Sequence, residues 1–261
     1  MQAIAQDYQP GELSQVGRER LLSIRGEPLF IADWNRVLMI HYQVDAELLQ
    51  SFVPYELDLY NDKAFVSVVA FTLKNMRPFF GGWLTAWVLK PIATHEFLNV
   101  RTYVRYGNET GIFFMAEWLS NRLSVTLGPY PFGLPYKYGH LNYQHSWEKL
   151  ALAGEAIDWR GKSVFAYAAH LENEAEFQLC KRASANEWLM ERYTAFTCRA
   201  GKKRLFRVWH PPWVQMPAHV TVTQQTLLEQ NWPFFRSAKL DSANFSPGAK
   251  DVWMGRPHRL H

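Results

Sequence analysis

Cysteine is scarce in this sequence. Cys180 and Cys198 are the only two in 261 residues, too few for a disulfide framework and too far apart for the paired spacing of a zinc site. Both are expected to be buried free thiols. The nine histidines form no HExxH-type pattern, and His140 with His145 fits no familiar ligand spacing. No metal and no cofactor are expected. Long apolar runs are also missing: the longest, such as Phe65 to Phe71, have the length of a strand, whereas a spanning helix needs about 20 residues. The first residues, with Asp7, Glu12 and Arg18, contain no apolar export signal. A cytoplasmic protein with no membrane partner is the resulting expectation. Charge of one sign is not concentrated either. The formal charge is +4 and the pI about 9.0, but the basic residues are scattered, and the one compact cluster, Gly201-Lys202-Lys203-Arg204, has the composition of a turn. A nucleic-acid partner is not expected, because phosphate recognition needs a continuous basic face.

What the chain does have is apolar and aromatic bulk. Hydrophobic residues make up 48% and aromatics 15%, with eleven Trp, enough for a large core and for the aromatic surfaces that anchor a homo-oligomer. Neither an internal repeat nor a low-complexity linker divides residues 1–261, so one domain is expected, with residues 1–25 and a tail over 233–261 as peripheral segments.

Runs of β-branched and aromatic residues mark strands over 37–44 and 64–73. Between them Asp45 can cap a short helix that Pro54 ends. Strands are also expected at 97–105, 111–119, 122–127, 137–147, 163–171 and 220–223. Ser184-Ala185-Asn186-Glu187 has the form of a capping box leading into a helix. A hairpin follows, with strands 194–198 and 205–209 around Gly201. Helical stretches are too few for repeated βαβ crossovers, so a predominantly antiparallel α+β fold closed into a β-barrel is expected.

Two segments carry candidate chemistry. In 97–105 the alternation places Leu98, Val100, Thr102 and Val104 on one face and Asn99, Arg101, Tyr103 and Arg105 on the other. The polar row can present donors to a ligand carboxylate or carbonyl, face water, or hold a structural Arg101 paired with Glu96 or Glu117. In 132–140 a Gly/Pro turn delivers Tyr136, Lys137, Tyr138 and His140. A desolvated lysine among aromatics can act as nucleophile or base, though lysine stems also pack harmlessly on rings. His41, mid-strand among apolar neighbours, is either a hydrogen-bonded core residue or part of the site.

These segments resemble a known family. Ala32-Asp33-Trp34, Ile40-His41-Tyr42-Gln43-Val44-Asp45, Phe52-Val53-Pro54-Tyr55-Glu56-Leu57-Asp58, Leu98 to Val104 with Gly111-Ile112-Phe113-Phe114, Phe132-Gly133-Leu134-Pro135-Tyr136, Glu191-Arg192-Tyr193 and His210-Pro211-Pro212-Trp213 run in the order of the YqjF-like branch of the acetoacetate decarboxylase superfamily, over about 28–217. The resemblance implies a closed β-barrel around an internal cavity. In acetoacetate decarboxylase a Gly-Phe-Pro-Lys-Lys motif supplies the Schiff-base lysine and then the neighbour that lowers its pKa. The matching stretch here is Gly133-Leu134-Pro135-Tyr136-Lys137, so Tyr136 stands at the Schiff-base position and cannot form an imine.

The reading that follows is a barrel binding a small polar or anionic organic molecule. Arg101 would anchor the anion, with Asn99, Tyr103, His41, Glu117 and Tyr136 around it. In any catalysis Tyr136 would be the general acid or base, with Lys137 lowering its pKa. Two alternatives stand beside it: imine chemistry on an oxo acid through Lys137, and a non-catalytic structural or interaction module.

Overall fold

The computed structural model describes residues 11–172 and 176–260. Fourteen strands occur among them: β1 (Phe30–Val44), β2 (Glu56–Leu57), β3 (Ala64–Pro78), β4 (His95–Tyr106), β5 (Glu109–Leu119), β6 (Tyr136–Ser146), β7 (Ala151–Asp158), β8 (Ser163–Leu171), β9 (Gln178–Leu179), β10 (Thr194–Arg199), β11 (Lys202–Trp209), β12 (Val214–Gln224), β13 (Lys239–Met254) and β14 (His258–Arg259). The helices are short: α1 (Glu12–Leu22), α2 (Ala46–Gln50), α3 (Arg122–Leu127), α4 (Pro129–Phe132), α5 (Ala185–Met190) and α6 (Thr226–Asn231), with 3-10 turns over Gly82–Ile92 and Pro233–Arg236. Their caps follow the sequence. Asp45 accepts from the backbone of Leu48 at 2.9 Å and Ser184 from that of Glu187 at 3.2 Å, although the Glu187 carboxylate reaches the N–H of Ala183 rather than that of Ser184.

Pairing closes the sheet twice. β1, β3, β4, β5, β6, β7, β8, β12 and β13 form a closed nine-stranded barrel. β10 pairs with β5 on one side while β11 pairs with β13, so β5, β10, β11, β13, β1, β3 and β4 make a second ring that shares a wall with the first. The shared strands are therefore buried on both faces. Leu38, Ile40, Val66, Val68, Leu98, Val100, Trp118, Phe165 and Phe245 fill the nine-stranded barrel. Val37, Met39, Val69, Phe71, Phe97, Ile112, Phe206 and Val208 face into the second ring. This double burial explains near-continuous apolar runs such as Val66 to Phe71.

Three expectations require correction. Residues 122–127 are the helix α3 rather than a strand, capped by the Asn121 side chain on Ser124 N–H at 3.0 Å. The physical reason is that β5 and β6 are parallel, and parallel neighbours need a crossover, which α3 and α4 provide. The C-terminal tail is not peripheral: β13 pairs with β1 along its length and also with β12 and β11, closing both rings. Its Ser246-Pro247-Gly248 reads as a turn but lies within the strand, between the stretches that pair with β12 and β11, so Pro247 has no ladder donor to lose on that side. Gly248 (φ +124) is needed there because a Cβ would lie 1.9 Å from the carbonyl oxygen of Trp34. Finally, the N-terminal segment contributes α1, which packs on β11 and binds the carbonyl of His210 through Ser14 at 2.7 Å; residues 1–10 lie outside the described residues.

Candidate functional site

A hollow lies in the second ring, whereas large buried side chains such as Trp118, Phe165 and Phe245 occupy the nine-stranded barrel. It has a volume of about 300 Å³ and is lined by β1, β3, β4, β5, β10 and β11, with Tyr136 of β6, α4 and the segments carrying Arg192, His210 and Trp213. Most of the wall is apolar, including Val37, Met39, Phe71, Phe97, Ile112 and Phe206.

One patch of the wall is polar, and strand register builds it. Asn99 on β4 stands directly across from Glu117 on β5, and Glu117 stands across from Tyr136 on β6. Three polar side chains thus form one row across three strands. Glu117 reaches the cavity because of a bulge. The β4–β5 register slips between Val100↔Ala116 and Arg101↔Phe114, so Ile112 and Phe114 line the cavity before Met115 and the odd-numbered Glu117 lines it after. Arg101 lies two residues beyond Asn99 on the same face of β4. The Tyr136 ring sits against Gly128, where a Cβ would come within 2.3 Å of it. Arg192 enters from the end of α5, donating to Asp58 at 2.8 Å and to the carbonyl of Trp188 at 2.6 Å, with its guanidinium 4.2 Å from the Trp188 ring centroid.

The patch is short of hydrogen-bond partners. Among the described residues, Arg101 Nε, Asn99 Oδ1, Glu117 Oε2, Arg192 Nη2 and Trp213 Nε1 are buried without a protein partner. Arg101 offers Nη2 to the sulfur of Met39 at 3.5 Å, a weak acceptor, and the Tyr103 hydroxyl lies within its reach. Burial lowers the Arg101 pKa, opposed by Tyr103 and Glu117, but a guanidinium stays charged. Burial also pushes the Glu117 carboxyl up to about 8, against the pull of Arg101, so at neutral pH it is mainly a neutral acid and can donate. The Tyr136 hydroxyl is raised well above its ordinary value, first by burial and then by Glu117; it is a phenol, not a phenolate. Burial lowers His210 to about 4, and its neutral ring stacks on Tyr193 at 4.7 Å and lies tilted against Trp213 at 4.8 Å.

The remaining sequence candidates fall elsewhere. Lys137 does not line the cavity: as the next residue on β6 it faces the opposite way, with Nζ 4.8 Å from the Trp118 centroid and 5.8 Å from that of Trp232. It therefore neither offers an amine to the cavity nor lowers the pKa of Tyr136. Tyr103 and His41 are not in the wall but behind it. His41 Nδ1 lies 2.7 Å from Ser67 Oγ, which is 2.6 Å from the Tyr103 hydroxyl, and Tyr103 donates to the carbonyl of Leu189 at 3.0 Å. Burial and then Arg101 depress His41 to about 3, so this chain is neutral. Arg105 is exposed and pairs with Glu56. Sequence reasoning missed Arg192 and the cavity-facing roles of His210 and Trp213, although the family-like pieces Glu191-Arg192-Tyr193 and His210-Pro211-Pro212-Trp213 contained them.

The fold defines an acetoacetate decarboxylase-like barrel protein. An acetoacetate decarboxylase structure superposes with a TM-score of 0.62 at 13% identity, covering 90% of each chain. An acetoacetate decarboxylase-like enzyme from Sphingomonas wittichii RW1 gives 0.62 at 14%, covering 90% of this chain and 94% of that one. The enduracididine biosynthesis enzyme MppR, complexed with the condensation product of pyruvate and imidazole 4-carboxaldehyde, gives 0.64 at 13%, covering 89% and 90%. Within that fold, the chain belongs to the DUF2071 family, described as an uncharacterized conserved protein, whose model matches residues 31–250. YqjF of Bacillus subtilis is 30% identical over 228 residues, 82% of this chain and 89% of that protein. Among the described residues no helix is long and apolar enough to cross a membrane.

Proposed function

We propose that the cavity binds a small organic acid or oxo compound with an apolar body, its carboxylate or carbonyl held by Arg101 and Arg192 and its remaining polar atoms by Asn99, Glu117 and Tyr136. The observation that carries this reading is the set of buried polar atoms without protein partners on one side of an otherwise apolar hollow. Buried polar atoms cost free energy unless satisfied, and a ligand carrying an acceptor next to the two guanidinium groups supplies what the protein lacks. The apolar wall would take a hydrocarbon portion, which a purely polar metabolite would leave unmatched. The likeness to MppR, a fold relative complexed with pyruvate, agrees with an oxo acid as the ligand class.

A second, catalytic reading is favoured by one observation. The Glu117 carboxyl, raised to about 8 and placed across from Tyr136, has the proton affinity that proton transfer at an activated carbon beside a bound carbonyl requires. In this reading Glu117 moves the proton and Tyr136 donates a hydrogen bond to the carbonyl oxygen. Calorimetric titration with a series of aliphatic and aromatic carboxylic and 2-oxo acids tests the binding reading. Saturable binding that Arg101→Met weakens about ten- to a hundredfold is the expected result, and no binding by any member of the series would overturn it. Proton exchange at C3 of a bound 2-oxo acid in deuterium oxide, lost in Glu117→Gln, tests the catalytic one.

A further inference from the structure

The rim of the cavity is as unusual as its wall. Pro131 of α4 is an exposed lining residue, and Leu29, Met76 and Ile92, from the start of β1, the end of β3 and the Gly82–Ile92 turn, line the same cavity half-buried; we take the mouth to lie among these elements. None of the eleven residues of Gly82–Ile92 is buried. Its outer surface and the residues before it are large and apolar: Phe80 is 90% exposed and Leu84 87%, with Trp83, Trp87 and Val88 also exposed. Phe80, Trp83, Leu84, Trp87 and Val88 thus place five exposed large apolar side chains within nine residues. Across the mouth α3 and α4 add exposed Leu123, Leu127 and Tyr130, and Asn121 ties the two sides together by donating to the carbonyl of Pro91 at 2.8 Å.

The stretches that supply most of this rim carry basic but no acidic residues. No Asp or Glu occurs from Lys63 to His95 or from Trp118 to Trp147; at their borders Glu96 accepts from Ser120 and Glu27 from the N–H of Arg256. Lys90 and Arg122 are exposed there. Asp33 and Asp251, which reach the end of β3 from neighbouring strands, are taken up by Asn75 and Arg77. Trp83 is held in place over Arg77, whose guanidinium lies 4.4 Å from its ring centroid.

We infer that this rim of tryptophan, phenylalanine and leucine, with exposed Lys90 and Arg122, docks on an anionic lipid surface, with the cavity mouth turned toward the bilayer. Tryptophan and aliphatic side chains flanked by lysine and arginine suit the boundary between headgroups and acyl chains, and an anionic leaflet complements the basic residues. A second copy of the chain fits less well. In a two-fold dimer the same patch meets itself, which would bring Lys90 and Arg122 of both copies together, while Asp33 and Asp251 are already engaged by Asn75 and Arg77. Docking of this kind concerns the interface and differs from crossing by a helix, for which no helix among the described residues is long and apolar enough. An apolar ligand dissolved in the bilayer would then enter the hollow without crossing water. The docking itself does not depend on what the cavity binds.

Co-sedimentation with vesicles tests it. The full chain is mixed with pure phosphatidylcholine vesicles and with vesicles containing about one third phosphatidylglycerol. Preferential binding to the anionic vesicles is expected, weakened at about 1 M salt, where charges are screened beyond about 3 Å. The double variant Leu84→Glu/Trp87→Glu should bind at least about tenfold more weakly, and Lys90→Glu/Arg122→Glu should lose the preference for phosphatidylglycerol. These side chains are exposed, so circular dichroism and the melting temperature should match the wild type. Absence of wild-type binding to either vesicle would overturn the inference. So would a wild-type oligomer that the Leu84→Glu/Trp87→Glu variant converts to monomer without any vesicle binding, because the patch would then be a subunit contact.

Discussion

Tyr136 and Lys137 are consecutive residues on β6 that serve opposite faces of it: the phenol lines the cavity, while the ammonium sits 4.8 Å from the Trp118 centroid on the other side. A strand turns successive side chains to opposite faces, so the loss of an amine at position 136 is not made good by the one at 137. Borohydride reduction in the presence of pyruvate or another 2-oxo acid should leave the wild-type mass unchanged. Tyr136→Lys should place an amine in the cavity beside Glu117 and acquire a reducible adduct at that position. An adduct on wild-type Lys137 in the peptide map would refute the assignment of faces.

Arg101→Met should separate binding from stability. The guanidinium is buried, with a partnerless Nε and a sulfur contact, so its removal leaves few protein groups stranded. Denaturant midpoints should stay near the wild-type value or rise, whereas affinity for a carboxylate ligand should fall about ten- to a hundredfold, the loss of a charge-assisted hydrogen bond worth roughly 1.5–3 kcal/mol. A large loss of stability would mean that Arg101 is structural.

Stability should pass through a maximum near neutral pH, and the signs follow from the buried groups. His41, His95, His145 and His210 have folded pKa values of about 3, 4, 4 and 4 against an ordinary 6.5. Below pH 6.5 the unfolded chain therefore binds more protons, and stability falls as pH drops toward 4. Glu117 acts in the opposite sense. Its folded value of about 8 lies above the ordinary 4.5, so between about 4.5 and 8 the folded state holds the extra proton and stability falls as pH rises. Urea unfolding followed from pH 5 to 9 should show both limbs, and Glu117→Gln should flatten the alkaline one. An unchanged alkaline limb in that variant would remove Glu117 as its source.

Phe245 on β13 tests whether the C-terminal residues are core. It is fully buried, with its ring 6.0 Å from that of His145 and 6.3 Å from that of Phe177. Phe245→Ala should cost about 3–5 kcal/mol in chemical unfolding, as core truncations do. A cost under about 1 kcal/mol would mean that the strand is dispensable.

The sequence makes one half of the site legible and conceals the other. Alternation over 97–105 sorts Asn99 and Arg101 onto one face, and the family-like turn at 132–136 delivers Tyr136 to the neighbourhood. What alternation cannot show is that the wall shared by two rings is buried on both faces, so that the polar row looks inward on a hollow. Glu117 joins the row through a bulge at Met115, which breaks the period of two that a reader would extend along β5. Arg192, His210 and Trp213 arrive from segments remote in sequence, and only a long-range pairing pattern would place them. Helix α3 carried its own signal in the Asn121 cap, but Val125 and Thr126 favour strand, and the parallel pairing of β6 that demands a crossover is a non-local fact. Strand β13 was hidden by Pro247 and Gly248, residues that ordinarily end strands and here occupy its one-sided stretch.

The closure of both rings by β13 has a consequence for synthesis. Its partners include β1, the first of the described strands to leave the ribosome, so neither ring can be completed until β13 has emerged. Until then β1 and β12 present open edges, which invite pairing with other chains. Chaperone demand during translation should therefore peak late, and fragments ending before Lys239 should aggregate rather than accumulate as soluble intermediates.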